Sequence, residues 1–321
     1  MTQPGQEWTD RERRRASVAL VFATLFWGAT FFLMKDGSVA IGRILGPEGA
    51  RWSETVFLVL RFALAAALFP LAFPRVLRAS REAWMWGAVT AIPFSGGFLL
   101  QIYGLASVDP SISALYTSMF VVFTPALMFL IFRRPVGRNL ALGIGLVVAG
   151  LWLTTGAGPT GFGLGELLSL GCAFVFSFHI ILTDLGTRRA DPIAIAWTCI
   201  TLATVLCALP LAVFHPAAFA AVPAALGDRT VLVGVGFTAT LATLGSIGLM
   251  NTFQRRLTPN SAAVIYTLEP VFAGLFSWWF FGERFEGPKL FGGSLVIAGN
   301  LVAALRASRP PAPVSGPAAS A

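Results

Sequence analysis

Charge is scarce in this chain. Only 12% of its 321 residues are Asp, Glu, Lys or Arg, while 56% are hydrophobic. Ordinary soluble domains carry roughly 25% charged residues, so this much apolar surface cannot be hidden in one aqueous core. Cysteine is almost missing as well: Cys172, Cys199 and Cys207 all fall in apolar runs without C-x-x-C spacing. That excludes a disulfide framework or cysteine metal site and leaves them as small packing residues. His179 and His215 are the only histidines and neither has a carboxylate at ligand spacing, so no metal and no cofactor is expected. The stretch Gly156 to Gly161 matches G-x-G-x-x-G, but it follows an apolar helix rather than a strand and reads as a turn. The net charge of +8 comes as pairs and triplets of arginine between apolar runs, with no continuous basic face. This pattern points to membrane lipid rather than nucleic acid as the partner.

What the chain does have is long apolar runs. A hydrocarbon core about 30 Å thick takes about 20 helical residues per crossing. Ten such spans are predicted, near 17–34, 55–73, 84–105, 112–132, 139–155, 163–182, 193–214, 231–253, 261–281 and 289–306. The runs are continuous rather than alternating, so a β-barrel is excluded and an all-α integral membrane protein is expected.

The chain also repeats itself: residues 99–151 align with 249–301 at a constant offset of 150. Leu115-Tyr116-Thr117 answers Ile265-Tyr266-Thr267, Ser111 answers Ser261, Arg134 answers Arg284, and Gly137 and Gly143 answer Gly287 and Gly293. Five spans per repeat is an odd number, so the second copy enters the membrane inverted, the architecture of carriers that alternate access about a midplane site. The predicted organisation is a cytoplasmic polar tail (1–15), a first five-helix repeat (16–155), a second (162–306) and a disordered tail (307–321). The first repeat contains a long external loop over 35–54, a surface loop or a lid. Of the 23 Lys and Arg residues, Lys35, Arg43, Arg51, Arg229, Arg284 and Lys289 fall outside, Arg61 falls within span 2, and the other sixteen fall inside. Both termini are therefore placed in the cytoplasm, with no cleaved signal, and a bacterial inner membrane is the expected location.

The run Ser261-Ala262-Ala263-Val264-Ile265-Tyr266-Thr267-Leu268-Glu269-Pro270-Val271-Phe272-Ala273-Gly274-Leu275, then Phe281-Gly282-Glu283-Arg284, resembles the second repeat of EamA-type transporters of the drug/metabolite transporter superfamily. Their Gly-rich final helix is matched by Gly292-Gly293 and Ala298-Gly299. The first repeat follows through Trp27-Gly28, Phe31, Lys35, Leu60-Arg61-Phe62, Gln101 and Gly104-Leu105. Two departures are the long 35–54 segment and Arg133-Arg134-Pro135 where Gly-Glu-Arg is common. The resemblance implies ten helices in two inverted five-helix repeats around a central cavity, and export of small metabolites or drugs. It leaves the substrate class open.

Glu269 is the leading site residue, because a carboxylate near mid-span costs roughly 3 kcal/mol and should face a partner or water. It could bind a cation, carry a proton in coupled export, or pair structurally with a donor such as Arg61. Pro270 lacks an N–H and is expected to free the Tyr266 carbonyl and bend the span, with Pro93, Pro125 and Pro210 acting alike on theirs. Tyr116 and Tyr266 are repeat mates, as are Gln101 and Asn251, and either pair could line the cavity or join helices. His179 and Trp27 are further cavity candidates, while Arg61 reads as a counter-ion or snorkelling anchor near the outer end of span 2. The glycines of spans 5 and 10 permit close approach, within the molecule or in a homodimer. One central carboxylate and one histidine do not make an enzyme. The alternatives to a carrier are a channel, a scaffold or a receptor.

The charge distribution makes the topology testable. In intact cells expressing a variant free of native cysteines, membrane-impermeant maleimide should label Gly227→Cys and spare Thr187→Cys. The reverse pattern would invert the orientation.

Overall fold

The computed structural model describes residues 8–133, 138–154, 162–257 and 259–304, and among these there is helix and turn but no strand. Fourteen α-helical pieces follow one another in these segments. They are α1 Asp10–Gly49, α2 Ser53–Ala72, α3 Arg81–Ser107, α4 Pro110–Thr117, α5 Phe120–Phe132, α6 Arg138–Thr154 and α7 Leu164–Thr187. Then come α8 Pro192–Phe214, the short α9 Val222–Gly227, α10 Arg229–Ala239, α11 Ser246–Phe253, α12 Pro259–Tyr266, α13 Glu269–Phe281 and α14 Gly287–Ala304. Seven segments are long and apolar enough to cross a membrane; one of them, Asp10–Ala72, contains both α1 and α2. Large apolar side chains face outward, with Leu71 78%, Trp279 75% and Leu130 71% exposed. In water so many would be an aggregation liability, whereas lipid is their natural surrounding.

Residues 35–49, expected as a loop, continue α1 as helix instead. The reason is packing: Gly37 lies against the Phe57 ring and Gly42 faces Ser53, so the extension folds back along the start of α2. The chain turns at Gly46, whose φ of 72° is open to glycine but strained for other residues, and Pro47 opens the next turn. Trp52 then stacks on His215 at 6.4 Å and Phe214 at 6.3 Å, tying this end to the end of α8. Within the arginine-rich start, helix begins at Asp10, ahead of the predicted first span. Thr9 and Glu12 form a capping box, and Arg13, Arg14 and Arg15 lie in the first turns of α1. The 307–321 tail, the Arg134-Pro135 turn and the Gly156–Gly161 run lie outside the described residues.

Two apolar cores organise the bundle. One, with Met34, Phe57, Phe62, Phe69, Ile102 and Leu105, is shared by α1, α2, α3, α8 and α10. The other, with Tyr116, Met119, Val147, Leu151 and Val296, joins α4, α6 and α14. Here α6 and α14 cross with backbones in contact and run antiparallel, Gly143 meeting Gly299 and Ala303 while Gly150 meets Gly292 and Val296. The span 5 and 10 glycines are thus used inside the molecule, while Gly145 has open space beside it.

A Cβ on Gly150 would lie 2.6 Å from the Gly292 carbonyl oxygen and 2.8 Å from the Val296 nitrogen, where no flexible side chain can give way. Gly150→Ala should lose about 1–3 kcal/mol in an unfolding titration in detergent micelles. Gly145→Ala, which meets nothing within 4 Å, should be neutral or slightly stabilising.

Candidate functional site

Two membrane-depth helical rods are broken, and they are the repeat mates. Between α4 and α5 the helix stops at Ser118-Met119; between α12 and α13 it stops at Thr267-Leu268. Pro270 does not bend a continuous span, as its sequence suggests. It falls in the first turn of a new helix, where a missing N–H costs little. Its mate is Phe120, so the first break occurs without proline, and Pro125 and Pro93 lie inside α5 and α3 away from either break. Hydroxyls take up the carbonyls released: Ser118 Oγ donates to Leu115 O at 2.6 Å and Thr267 Oγ1 to Val264 O at 2.7 Å. Asn300 of α14 reaches across to Ser118 Oγ at 2.8 Å.

Glu269 is the first residue of α13, so its carboxylate stands at the positive end of a half-helix inside the bundle. It is half-buried, and no hydrogen bond or ion pair is made by its side chain among the described residues. The neighbouring wall is α1, where Gly28 packs against the Glu269 carbonyl and Phe272; a Cβ there would approach Phe272 Cβ to 2.6 Å. Trp27, next in chain, donates from Nε1 to Ala242 O at 3.0 Å, and its ring lies 5.7 Å from that of Tyr266. Ala242 belongs to a π-helical turn, Thr240–Gly245, a wide turn that frequently marks functional sites.

The other candidates disperse. Tyr266 is half-buried and donates to Gln254 Oε1 at 2.9 Å, whereas Tyr116 is 2% exposed and packed edge-on to Phe162. The tyrosine mates thus sit in different surroundings. Gln101 is buried with its Oε1 unpartnered, whereas Asn251 is exposed and donates from Nδ2 to Ile247 O of its own helix. His179 meets the Thr90 carbonyl at 3.2 Å through Nδ1, 5.1 Å from the Phe94 ring. Arg61 does not snorkel, being 3% exposed, nor is it paired with Glu269. Its Nη1 approaches Met34 Sδ at 3.2 Å and its Nη2 approaches Thr243 Oγ1 at 3.4 Å.

Sequence reasoning passed over one polar cluster. Glu283, 8% exposed, accepts hydrogen bonds from Ser111 and Ser277 and an ion pair from Lys289. Lys289 also meets Asp109 at 3.0 Å, and nearby Lys35 donates to Val108 O at 2.6 Å. This knot ties the start of α4 to the α13–α14 turn, one from each repeat. A signal existed in the alignment, since the mates of Glu283 and Lys289 are Arg133 and Asn139.

The model of the EamA-like transporter family matches the chain twice, over residues 14–156 and 163–305. An uncharacterized transporter of Archaeoglobus fulgidus is 28% identical over 298 residues, 92% of this chain and 87% of its own. A crystal structure of a protein superposes with a TM-score of 0.55 at 20% identity, covering 92% of this chain and 99% of its own, a likeness of fold.

The Glu283 knot and the exposed pair Arg188–Asp184 offer a matched test. Lys289→Met, which leaves a buried carboxylate without its cation, should lose about 3 kcal/mol in a detergent unfolding titration. Arg188→Met, whose 2.7 Å pair has side chains more than half exposed, should lose about 0–1 kcal/mol.

Proposed function

The chain belongs to the EamA-like transporter family and is a multi-pass membrane transporter, and from that premise we propose that it is a secondary carrier exporting small metabolites or drugs by alternating access. The observation that carries this reading is the matched pair of broken helices with Glu269 unpartnered at one break. Half-helix ends within a membrane present backbone dipoles to whatever occupies the space between them, the usual construction of a carrier site. The α4/α5 and α12/α13 breaks fall at corresponding points of two repeats, and α6 and α14, also mates, run antiparallel. Both support ten crossings arranged as two inverted five-helix repeats.

In this reading Glu269 is the coupling residue. A carboxylate free of any protein partner can take a proton when the site is closed to one side and release it on the other. Trp27 and Tyr266 form its aromatic wall, and the π turn behind Trp27 is the deformable element of that wall. With both termini cytoplasmic in this reading, the Glu283 knot would lie at the external end, where its contacts join the two repeats. The setting is a bacterial inner membrane, the partners are a small solute and lipid, and no catalytic step is involved.

Glu269→Gln tests the role at constant shape. In proteoliposomes the parent should drive solute flux from an imposed pH gradient, and the variant should lose at least about 100-fold of that response while keeping exchange at equal pH. An unchanged gradient response removes Glu269 from coupling. Absence of counterflow by the parent itself would turn the reading toward a channel or scaffold.

A further inference from the structure

Arg61 is a buried cation for which the described residues supply no anion. It lies on α2 facing α1, α3 and the π turn, and among the described residues no carboxylate pairs with it. Its hydrogen-bond partners are a thioether and one hydroxyl at 3.4 Å, both weak acceptors for a guanidinium with five N–H groups. The Nε–H has no acceptor at all. Aromatic rings fill the remaining surroundings, with Phe98 at 4.7 Å and Phe62 at 5.7 Å from the guanidinium carbon.

A charge in this position is unfavourable for folding unless something compensates it. Removing one partner of a buried ion pair typically costs several kcal/mol, and here the pair is missing from the outset. Ring contacts recover only part of that. The backbone around it is also adapted: Thr243, which receives Nη2, is placed by the π turn, and the same turn presents Ala242 O to Trp27. From Trp27 the wall continues to Tyr266, and through Gly28 to Glu269. Arg61 and Glu269 therefore stand at two ends of one contiguous set of contacts, each without a partner of opposite charge.

We propose that Arg61 is the anchor for a carboxylate on the transported solute, the missing anion of the bundle. A monocarboxylate matches best for two reasons. It neutralises one guanidinium with one charge, where a phosphate dianion would leave a negative charge buried. It also has two coplanar oxygens for the unfilled Nε edge. The site is occluded in this state, with Phe98 against the guanidinium. The inference deepens the carrier reading and rests on it for transport, but binding is measurable without flux.

The test uses the purified full-length protein in detergent and reads thermal stability with benzoate, hexanoate and L-leucine, each beside its primary amide, and with inorganic phosphate. A ligand that binds only the folded form raises Tm. At least one acid should raise Tm where its amide and phosphate do not. Arg61→Gln and Arg61→Met should abolish that preference, and Arg61→Lys should keep it with affinity weakened at least about tenfold. Without ligand, Arg61→Met should melt at or above the parent, because it removes an uncompensated charge, whereas a structural arginine would show a loss of several degrees. Equal shifts from acids and amides, stabilisation by phosphate alone, survival of the acid preference in Arg61→Met, or a large loss of Tm in that variant would each overturn the proposal. Acid binding that persists while counterflow in proteoliposomes is absent would overturn the carrier reading and leave the carboxylate site standing.

Discussion

Inside lipid a polar group has no water to fall back on, and the arrangement of this bundle follows from that restriction. Most hydroxyls of the helices return to their own backbone: Thr24 to Leu20 O, Ser177 to Ala173 O and Thr238 to Gly234 O, each within 3 Å. Where a helix is interrupted, side chains stand in for the lost ladder, as Ser118 and Thr267 do at the two breaks. Where a charge is buried for structure it is fully engaged, as Glu283 is by two serines and a lysine. Against this background, Glu269 and Arg61 stand out as buried or half-buried charges that no opposite charge meets among the described residues.

The near-symmetry of the two repeats sharpens the contrast. The breaks, the glycine seam and the tyrosines all come in mates, which suits a molecule with two related conformations. Chemistry, however, is placed in one copy only. Glu269 answers Met119, Glu283 answers Arg133, and Lys289 answers Asn139. A near-symmetric backbone thus carries an asymmetric set of charges, since Arg133 and Asn139 stand where the second repeat has Glu283 and Lys289.

The glycine seam between α6 and α14 has a complementary role. Lipid tails are as apolar as leucine, so helices in a bilayer gain little from burying apolar surface and rely on close van der Waals approach. Gly143, Gly150, Gly292 and Gly299 allow that approach backbone to backbone. The irregular backbone lies elsewhere, at the two helix breaks and in the π turn beside Trp27.

Much of this was legible in the amino-acid order, and the boundary is a physical one. Apolar runs about 20 residues long, the arginine clusters between them and the offset of 150 determine an all-helical, twice-repeated membrane chain, since hydrocarbon thickness and backbone hydrogen bonding admit little else. Glu269 also stands out in the sequence, because a lone carboxylate within an apolar run is costly wherever the run is placed. Tertiary structure decided which costly groups are compensated. Asn251 turned to its own helix while Gln101 was buried, Tyr116 packed and Tyr266 opened, and the 35–49 segment became helix because α2 lay beside it. Arg61 looked like an anchor in the sequence because its neighbours in the chain are apolar. Its isolation is a property of four elements meeting in space, and no local pattern records what a folded chain leaves out.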